Sequence, residues 1–494
     1  MTGELKRGAG ILLPVSSLPS KYGIGTFGKE AYKYVDWLCA AGQSYWQVLP
    51  LGPTSYGDSP YQSPSAFAGN PYFIDLDILK SEKLLTAKEL NDFDYGQSER
   101  YVDYEKQYKN RYAILRKAFK RWKNAPCEAF EKFEKREKWL SDYALFMAVK
   151  SYFGDKEWSE WDEDIRFRDN KALKRYKKEL ADDIYFHKFL QYKFYEQWDK
   201  LKKYANDRGI RIIGDMPIYV SYDSSDVWVN PELFRLDEKL RQTEVAGCPP
   251  DDFCEDGQKW GNPLYNWEAH EKEKFAWFKS RMKALGRLYD IIRIDHFIGI
   301  VRYYCIPYDK SAKYGWYEKG PGLKLTNAIV ETLGLGRIIA EDLGALTPEV
   351  INVLEQTGFP GMKVLQFAFG GDASNDHLPH NLRKNSVLYI GTHDNEPFRA
   401  YVDTRSKAEL KHMMAYLGAD TKEELDDTVI RALCSSVADT AILRMQDILK
   451  LGADARINFP STLGNNWKWR MVKNEYNARQ AKELKNMMSL YGRI

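Results

Sequence analysis

Four carboxylates stand where hydrophobic runs break off. They are Asp215 after Ile212-Ile213-Gly214, Asp295 in Arg293-Ile294-Asp295-His296-Phe297, Glu341 after Ile338-Ile339-Ala340, and Asp394 in Gly391-Thr392-His393-Asp394-Asn395. Taken singly, an Asp after a strand is most often a turn or helix-cap residue. Together they read as a reactive cluster, with His296 and His393 beside two of them and Arg293 on the same strand face as Asp295. Paired carboxylates flanking one bond are what glycosidic chemistry requires. One attacks the anomeric carbon while the other, protonated, gives its proton to the leaving oxygen. A neighbouring arginine favours the ionised form of a carboxyl, and less polar surroundings favour the protonated form. Arg293 beside Asp295 fits the first role; Glu341 behind its apolar run fits the second.

Acids so far apart in the chain can meet only if strand ends share a rim. Short apolar or β-branched runs ended by polar turns mark strands at residues 9–15, 44–49, 210–215, 291–297, 337–342, 362–369, 386–392 and 455–459. Most are nearly continuous in hydrophobicity, as strands of a parallel sheet covered on both faces should be. Helix-like segments at 28–41, 347–356 and 407–417 lie between some of them. This alternation predicts an α/β fold, a (β/α)8 TIM barrel whose carboxyl-end rim gathers the four acids. The chain of 494 residues contains no repeat and no Pro/Ser linker, so a single catalytic barrel spanning 1–494 is expected. Large insertions interrupt it. Residues 75–201 are charged and helix-periodic, a helical insertion between the second and third strands. Residues 219–267 turn to Pro, Gly, Asp and Trp with little periodicity, which reads as a functional loop or lid.

Composition narrows the partners. With 73 Lys+Arg against 70 Asp+Glu the net charge is +3, too balanced for a protein whose main partner is nucleic acid. No window approaches the roughly 18 apolar residues of a membrane helix, and the first residues lack the apolar core of a signal peptide. Six thinly spread cysteines without Cys-x-x-Cys spacing suggest free thiols and no zinc site. A soluble, cytoplasmic protein is expected. Gly23-Ile-Gly25-Thr-Phe-Gly28 matches the dinucleotide pattern, but it does not follow a strand directly and no acid lies at the right distance, so no nucleotide cofactor is expected. The aromatic content is high, 14%, and flat rings suit the apolar faces of sugars as well as cores.

Several longer stretches then carry a resemblance. SSLPSKYGIGTFG (16–28), QVLPLGPTSYGDSPYQSPSAFAGNP (47–71), IIGDMPIYV (212–220), GCPPDDF (247–253), GQKWGNPLYNW (257–267), RIDHF (293–297), AEDLG (340–344), GFPGMKVLQFAF (358–369) and GTHDN (391–395) stand in this order. They resemble the 4-α-glucanotransferase family (amylomaltase, or disproportionating enzyme), whose barrel is akin to that of the α-amylases. The resemblance implies retaining transfer of an α-1,4-glucan segment to the 4-hydroxyl of glucose or another maltodextrin, without metal or cofactor. Carried over by position, Asp295 would be the nucleophile, Glu341 the general acid/base and Asp394 the stabiliser of the distorted sugar. Arg293, His296, His393 and Asp215 would hydrogen-bond the glucose at the cleavage point. Ser59, Tyr61, Gln258, Trp260 and Asn466 would line the groove; for Tyr61 and Trp260, the residues by themselves favour core packing. Asp252 and Cys254, on the loop covering the acceptor side, depart from the family's usual residues. An α-amylase-like hydrolase and a non-catalytic glucan-binding barrel are the competing expectations.

Overall fold

The computed structural model describes residues 5–55, 57–125, 127–250 and 255–494. The part of the 247–260 loop that holds Asp252 and Cys254 therefore lies outside the described residues. The strands are β1 (Gly8–Leu12), β2 (Tyr45–Gln47), β3 (Arg211–Met216), β4 (Glu244–Cys248), β5 (Gln258–Pro263) and β6 (Ile291–Ile294). They continue with β7 (Arg302–Pro307), β8 (Trp316–Lys319), β9 (Ile338–Ala340), β10 (Gly361–Val364), β11 (Ser386–Tyr389) and β12 (Thr440–Arg444). Eight of them close into a barrel in the order β1-β12-β11-β10-β9-β6-β3-β2, and every pair in it is parallel. The other four form an antiparallel sheet, β5-β4-β7-β8. Strands such as Ile291–Ile294 and Thr440–Arg444 are buried at every residue, because helices cover the outside of the barrel and side chains fill the inside.

Seven of the expected strands lie in the barrel. The eighth does not: the barrel closes with Thr440–Arg444, whereas 455–459 follows a short 3-10 turn, Ala453–Ala455, and runs as a loop over the rim. Thr440–Arg444 passes directly into the helix Met445–Ile448, so its apolar residues merge with a helical pattern and hide the strand. The alternation in Ala455-Arg456-Ile457-Asn458-Phe459 only imitates one. What selects Thr440–Arg444 is its register with β1, Gly8↔Thr440 to Leu12↔Arg444, a contact between opposite ends of the chain.

The helical segment between β2 and β3 is built around the helix Ala181–Asn206. Gln191 and Gln197 on it are buried and act as surrogate backbone. Gln191 accepts from Gly69 N at 2.7 Å and donates to Gly69 O at 2.9 Å; Gln197 accepts from Asp75 N at 2.6 Å and donates to Asp75 O at 3.3 Å. Tyr195 Oη donates to Phe67 O at 2.7 Å. A loop buried this deeply must have its polar backbone groups satisfied. These contacts fix the segment after β2, which brings Ser59 and Tyr61 over the barrel mouth. Within 219–267, where the sequence reads as irregular, β4 and β5 pair with each other and β4 pairs with β7. Long-range antiparallel partners leave no local periodicity to read. The glycines of the nucleotide-like pattern serve close packing: a Cβ on Gly25 would lie 1.8 Å from Val15 O, and one on Gly28 2.0 Å from Asp75 Oδ2.

Candidate active site

Strand register brings the acids together. The β3–β6 register sets Asp215 opposite Arg293, and the β6–β9 register sets Ile294 opposite Ala340, so Asp295 and Glu341 leave the barrel side by side. Arg293 is buried, and its Nη1 lies 2.8 and 2.7 Å from the two oxygens of Asp215 and 2.9 Å from Asp295 Oδ1. Tyr61 Oη donates to Asp215 Oδ2 at 2.8 Å. Asp215 is thus a buried counter-charge that anchors Arg293, and Arg293 in turn aims Asp295. Burial is the largest influence on Asp215 and raises its pKa despite the guanidinium.

Glu341 is the opposite case. Its carboxyl is buried, and burial pushes its pKa up to about 8, with Asp295 adding to the rise. Arg293 and two backbone donors oppose this: His296 N at 2.7 Å from Oε2 and Leu343 N at 2.9 Å from Oε1. Those two N–H groups hold the carboxyl against the backbone immediately after Asp295. This raised acid stands beside Asp295, which is paired with the Arg293 guanidinium. A buried acid raised in this way beside an arginine-paired one is the arrangement that an acid–nucleophile pair requires.

Asp394 comes from the turn after β11. Asn458 Nδ2 donates to its Oδ1 at 2.6 Å, Arg456 Nη2 donates to its carbonyl at 2.6 Å, and His393 Nε2 lies 3.3 Å from Oδ1. The turn itself hangs on Arg444. Its Nη1 donates to the carbonyls of Thr392, Asn395 and Glu396 at 3.1, 3.1 and 2.9 Å, and the rest of its guanidinium is neutralised by Asp447 at 2.7 and 3.0 Å. His393 stacks on Tyr61 with centroids 5.1 Å apart and planes at 15°. His296, between Asp295 and Phe297, has φ of 50°, a left-handed conformation that costs about 1–3 kcal/mol in a residue other than glycine. Its imidazole meets Trp260 edge-on at 4.9 Å, and burial lowers its pKa, keeping the ring neutral.

These groups open onto one cleft of about 420 Å³ at the mouth of the barrel. Ser59, Tyr61, Gln258, Trp260, Asp295, His296, Glu341, His393, Asp394 and Asn466 all line it. Asp215 and Arg293 lie behind its wall. Trp260 Nε1 donates to Gln258 Oε1 at 3.0 Å, which fixes the indole across the opening. Ser59 Oγ accepts from Tyr61 N at 3.2 Å. Asn466 accepts from Phe459 N at 2.9 Å and donates to Thr462 O at 2.9 Å, so its side chain shapes the 459–466 loop as well as facing the cleft. Sequence reasoning missed Asn458, Arg444 and Trp467, whose indole lines the cleft 5.7 Å from the Tyr61 ring and 5.9 Å from that of His393. Asn458 sits inside the run misread as a strand, and no local pattern pointed to the other two.

A parallel barrel whose carboxyl rim sets a proton-holding acid against an ion-paired carboxylate, in an open cleft, defines an enzyme of the glycoside hydrolase class. The chain belongs to the 4-alpha-glucanotransferase family, glycoside hydrolase family 77, whose model matches residues 13–474. It is 50% identical over 483 residues to a 4-alpha-glucanotransferase of Clostridium butyricum, covering 97% of this chain and 99% of the relative. It is 48% identical over 494 residues to one of Streptococcus pneumoniae, covering 99% and 98%. Among solved structures, the amylomaltase from Streptococcus agalactiae in complex with acarbose superposes with a TM-score of 0.96 at 42% identity, covering 99% of this chain and 100% of that one. An Anoxybacillus alpha-amylase matches with a TM-score of 0.51 at 8% identity, covering 99% and 79%, a likeness of fold alone. The chain is thus a transglycosylase, and neither a simple hydrolase nor a non-catalytic barrel is favoured. Among the described residues no helix is long and apolar enough to cross a membrane.

Proposed function

We propose that this enzyme moves segments of α-1,4-glucans onto the 4-hydroxyl of glucose or another maltodextrin, with Asp295 as nucleophile and Glu341 as acid and base. Asp295 attacks the anomeric carbon, the bond to the leaving O4 breaks, and Glu341 gives that oxygen its proton. The departing chain is replaced by an acceptor, whose 4-hydroxyl loses its proton to Glu341 and attacks the glycosyl–Asp295 ester, freeing the carboxylate. Two inversions restore the α configuration. Asp394, oriented by Asn458 and His393, stabilises the flattened, oxocarbenium-like sugar in the transition state of each step. His296 and His393 bond that sugar's hydroxyls, and Asp215 acts through Arg293. Ser59, Tyr61, Gln258, Trp260 and Asn466 carry the adjoining glucose units. The chemistry calls on no metal and no cofactor.

The observation that carries this reading is the placement of Glu341: buried, raised to about 8, and bonded to the backbone beside Asp295. Transfer also requires a sugar hydroxyl to outcompete water at about 55 M, and an oriented group with an effective molarity of roughly 10⁵ M or more does so. Gln258 and Trp260 line the cleft, and the stretch leading to them is the proposed lid, with Gly257 at φ of 70° as one hinge. A cytoplasmic location is part of the proposal, supported by Cys39, Cys127, Cys305 and Cys434 remaining free thiols. The test is purified enzyme with maltotriose alone, with chelator, followed by product chromatography over time. Glucose together with maltopentaose and longer chains is expected. Accumulation of only glucose and maltose would replace transfer by hydrolysis.

A further inference from the structure

The antiparallel sheet β5-β4-β7-β8 borders the cleft at one edge, where Gln258 and Trp260 stand on β5. Its opposite edge, β8, and the connection from β7 carry Tyr308, Tyr314, Trp316 and Tyr317, which are 57%, 67%, 42% and 44% exposed. Elsewhere among the described residues exposed aromatic side chains are scattered singly along the chain: Tyr101, Tyr108, Tyr152, Phe167 and Phe459. The concentration on one hairpin is not a by-product of packing alone. The sheet has its own small core, formed by Val245, Tyr304, Ile306 and Ala312, and of the four exposed rings Tyr317 packs on it, edge-on to Tyr304 at 5.0 Å. Exposed apolar surface gathered in this way marks a binding surface.

Several contacts show what kind of surface it is. Lys259 Nζ sits 5.2 Å from the centre of the Tyr308 ring and donates to the carbonyls of Tyr308 and Lys310. The Arg302 guanidinium lies 4.0 Å from the centre of the Tyr317 ring, and Trp316 Nε1 donates to Glu318 Oε1 at 3.0 Å. Trp316 and Tyr317 face opposite sides of β8, and cations cover one face of Tyr308 and of Tyr317, so the open stacking surface is that of Tyr314 and Trp316, with Glu318 at the indole's edge. That combination suits a sugar ring, apolar on its C–H faces and polar around its rim. The hairpin is also tied to the lid, since Lys313 Nζ lies 2.6 Å from Asp256 Oδ1.

We infer that the 308–317 hairpin is an accessory binding surface for α-glucan chains, one that holds the part of a long substrate lying outside the cleft. The inference rests on the transglycosylase reading of the cleft itself. From β5 to β8 the sheet spans three strand spacings, about 14 Å. A long glucan bridges the two sites, and its binding at one raises its effective concentration at the other. A trisaccharide engaged in the cleft does not.

The experiment is the double variant Tyr314→Ala/Trp316→Ala, compared with wild type on maltotriose and on long amylose. Equal rates on maltotriose are expected, with KM for amylose about tenfold higher and retardation in amylose-containing native gels lost. Tyr308→Ala, in contact with Lys259, should show the same split more weakly. Unchanged KM and gel mobility on amylose would overturn the inference while leaving the cleft chemistry intact. An equal fall on both substrates would also overturn it, by making the hairpin a support for the lid. A change in sedimentation from oligomer to monomer, without loss of amylose retardation, would assign the rings to a protein interface instead. Failure of wild type to disproportionate maltotriose would strike the cleft reading, not the hairpin.

Discussion

At the scale of single residues, the chemistry depends on how one arginine is shared. Arg293 Nη1 touches both oxygens of Asp215 and one of Asp295, so removing the charge at 295 leaves the guanidinium still paired. Asp295→Asn is therefore expected to fold and to bind maltodextrins, yet to lose at least about 10³-fold in kcat. Calorimetric binding beside a product assay checks this, and near-native turnover would mean another group attacks. In the proposed mechanism Glu341 sets the alkaline side of the activity. Because burial holds its proton up to about 8, kcat/KM should fall as pH rises through that value. A profile that stays flat well above it would place the proton donor elsewhere. Both carboxyls were legible in the sequence because each ends a run of apolar residues. Arg293 was legible for the same local reason, two residues before Asp295 on one strand face. Asn458 was not, since its partner Asp394 lies far away in the chain and only the loop's return over the rim joins them.

At the scale of elements, the turn after β11 depends on β12 more than on itself. Arg444 gathers three of its carbonyls, and a Cβ on Gly391 would lie 2.6 Å from Arg444 Nη1, so the glycine is what lets the guanidinium in. Arg444→Met should leave the buried Asp447 without its counter-charge, with only Phe398 N still donating to it, and cost about 3–5 kcal/mol of stability. The same change should lower kcat, because Asp394 rides on the freed turn. Denaturant unfolding beside kinetics measures both; a variant with native stability would show that solvent satisfies the turn unaided. The element-level misreading of 455–459 follows from the same geometry. A buried barrel strand and a rim loop of similar composition differ only in what pairs with them, and here the partner of the true strand is at the other end of the chain.

At the scale of the whole molecule, placing an uncharged acid under the rim makes stability depend on pH. The Glu341 carboxyl titrates at about 8 in the fold against 4.5 for the free group, so between those values the folded state keeps a proton that the unfolded chain releases. The unfolded state then binds fewer protons, and unfolding free energy declines as pH rises through that window. Glu341→Gln removes this dependence. Its amide nitrogen cannot accept from a backbone N–H, so a deficit relative to wild type is expected below pH 4.5, and the deficit should shrink or reverse toward pH 8. Melting curves across that range report it, and parallel curves for the two proteins would show that the native carboxyl is not held protonated.

The sequence by itself determined the barrel class, seven of its strands, the family and the acids at the strand ends. These are local properties: an apolar run, the polar residue that ends it, and the order of recurring blocks. Tertiary structure alone decided which strand closes the barrel and that Arg293 is anchored by Asp215 beneath the cleft. It alone gathered four exposed rings on the sheet beside the lid. It also decided that Glu341 keeps its proton, because burial is a property of everything packed around a carboxyl and not of its neighbours in the chain.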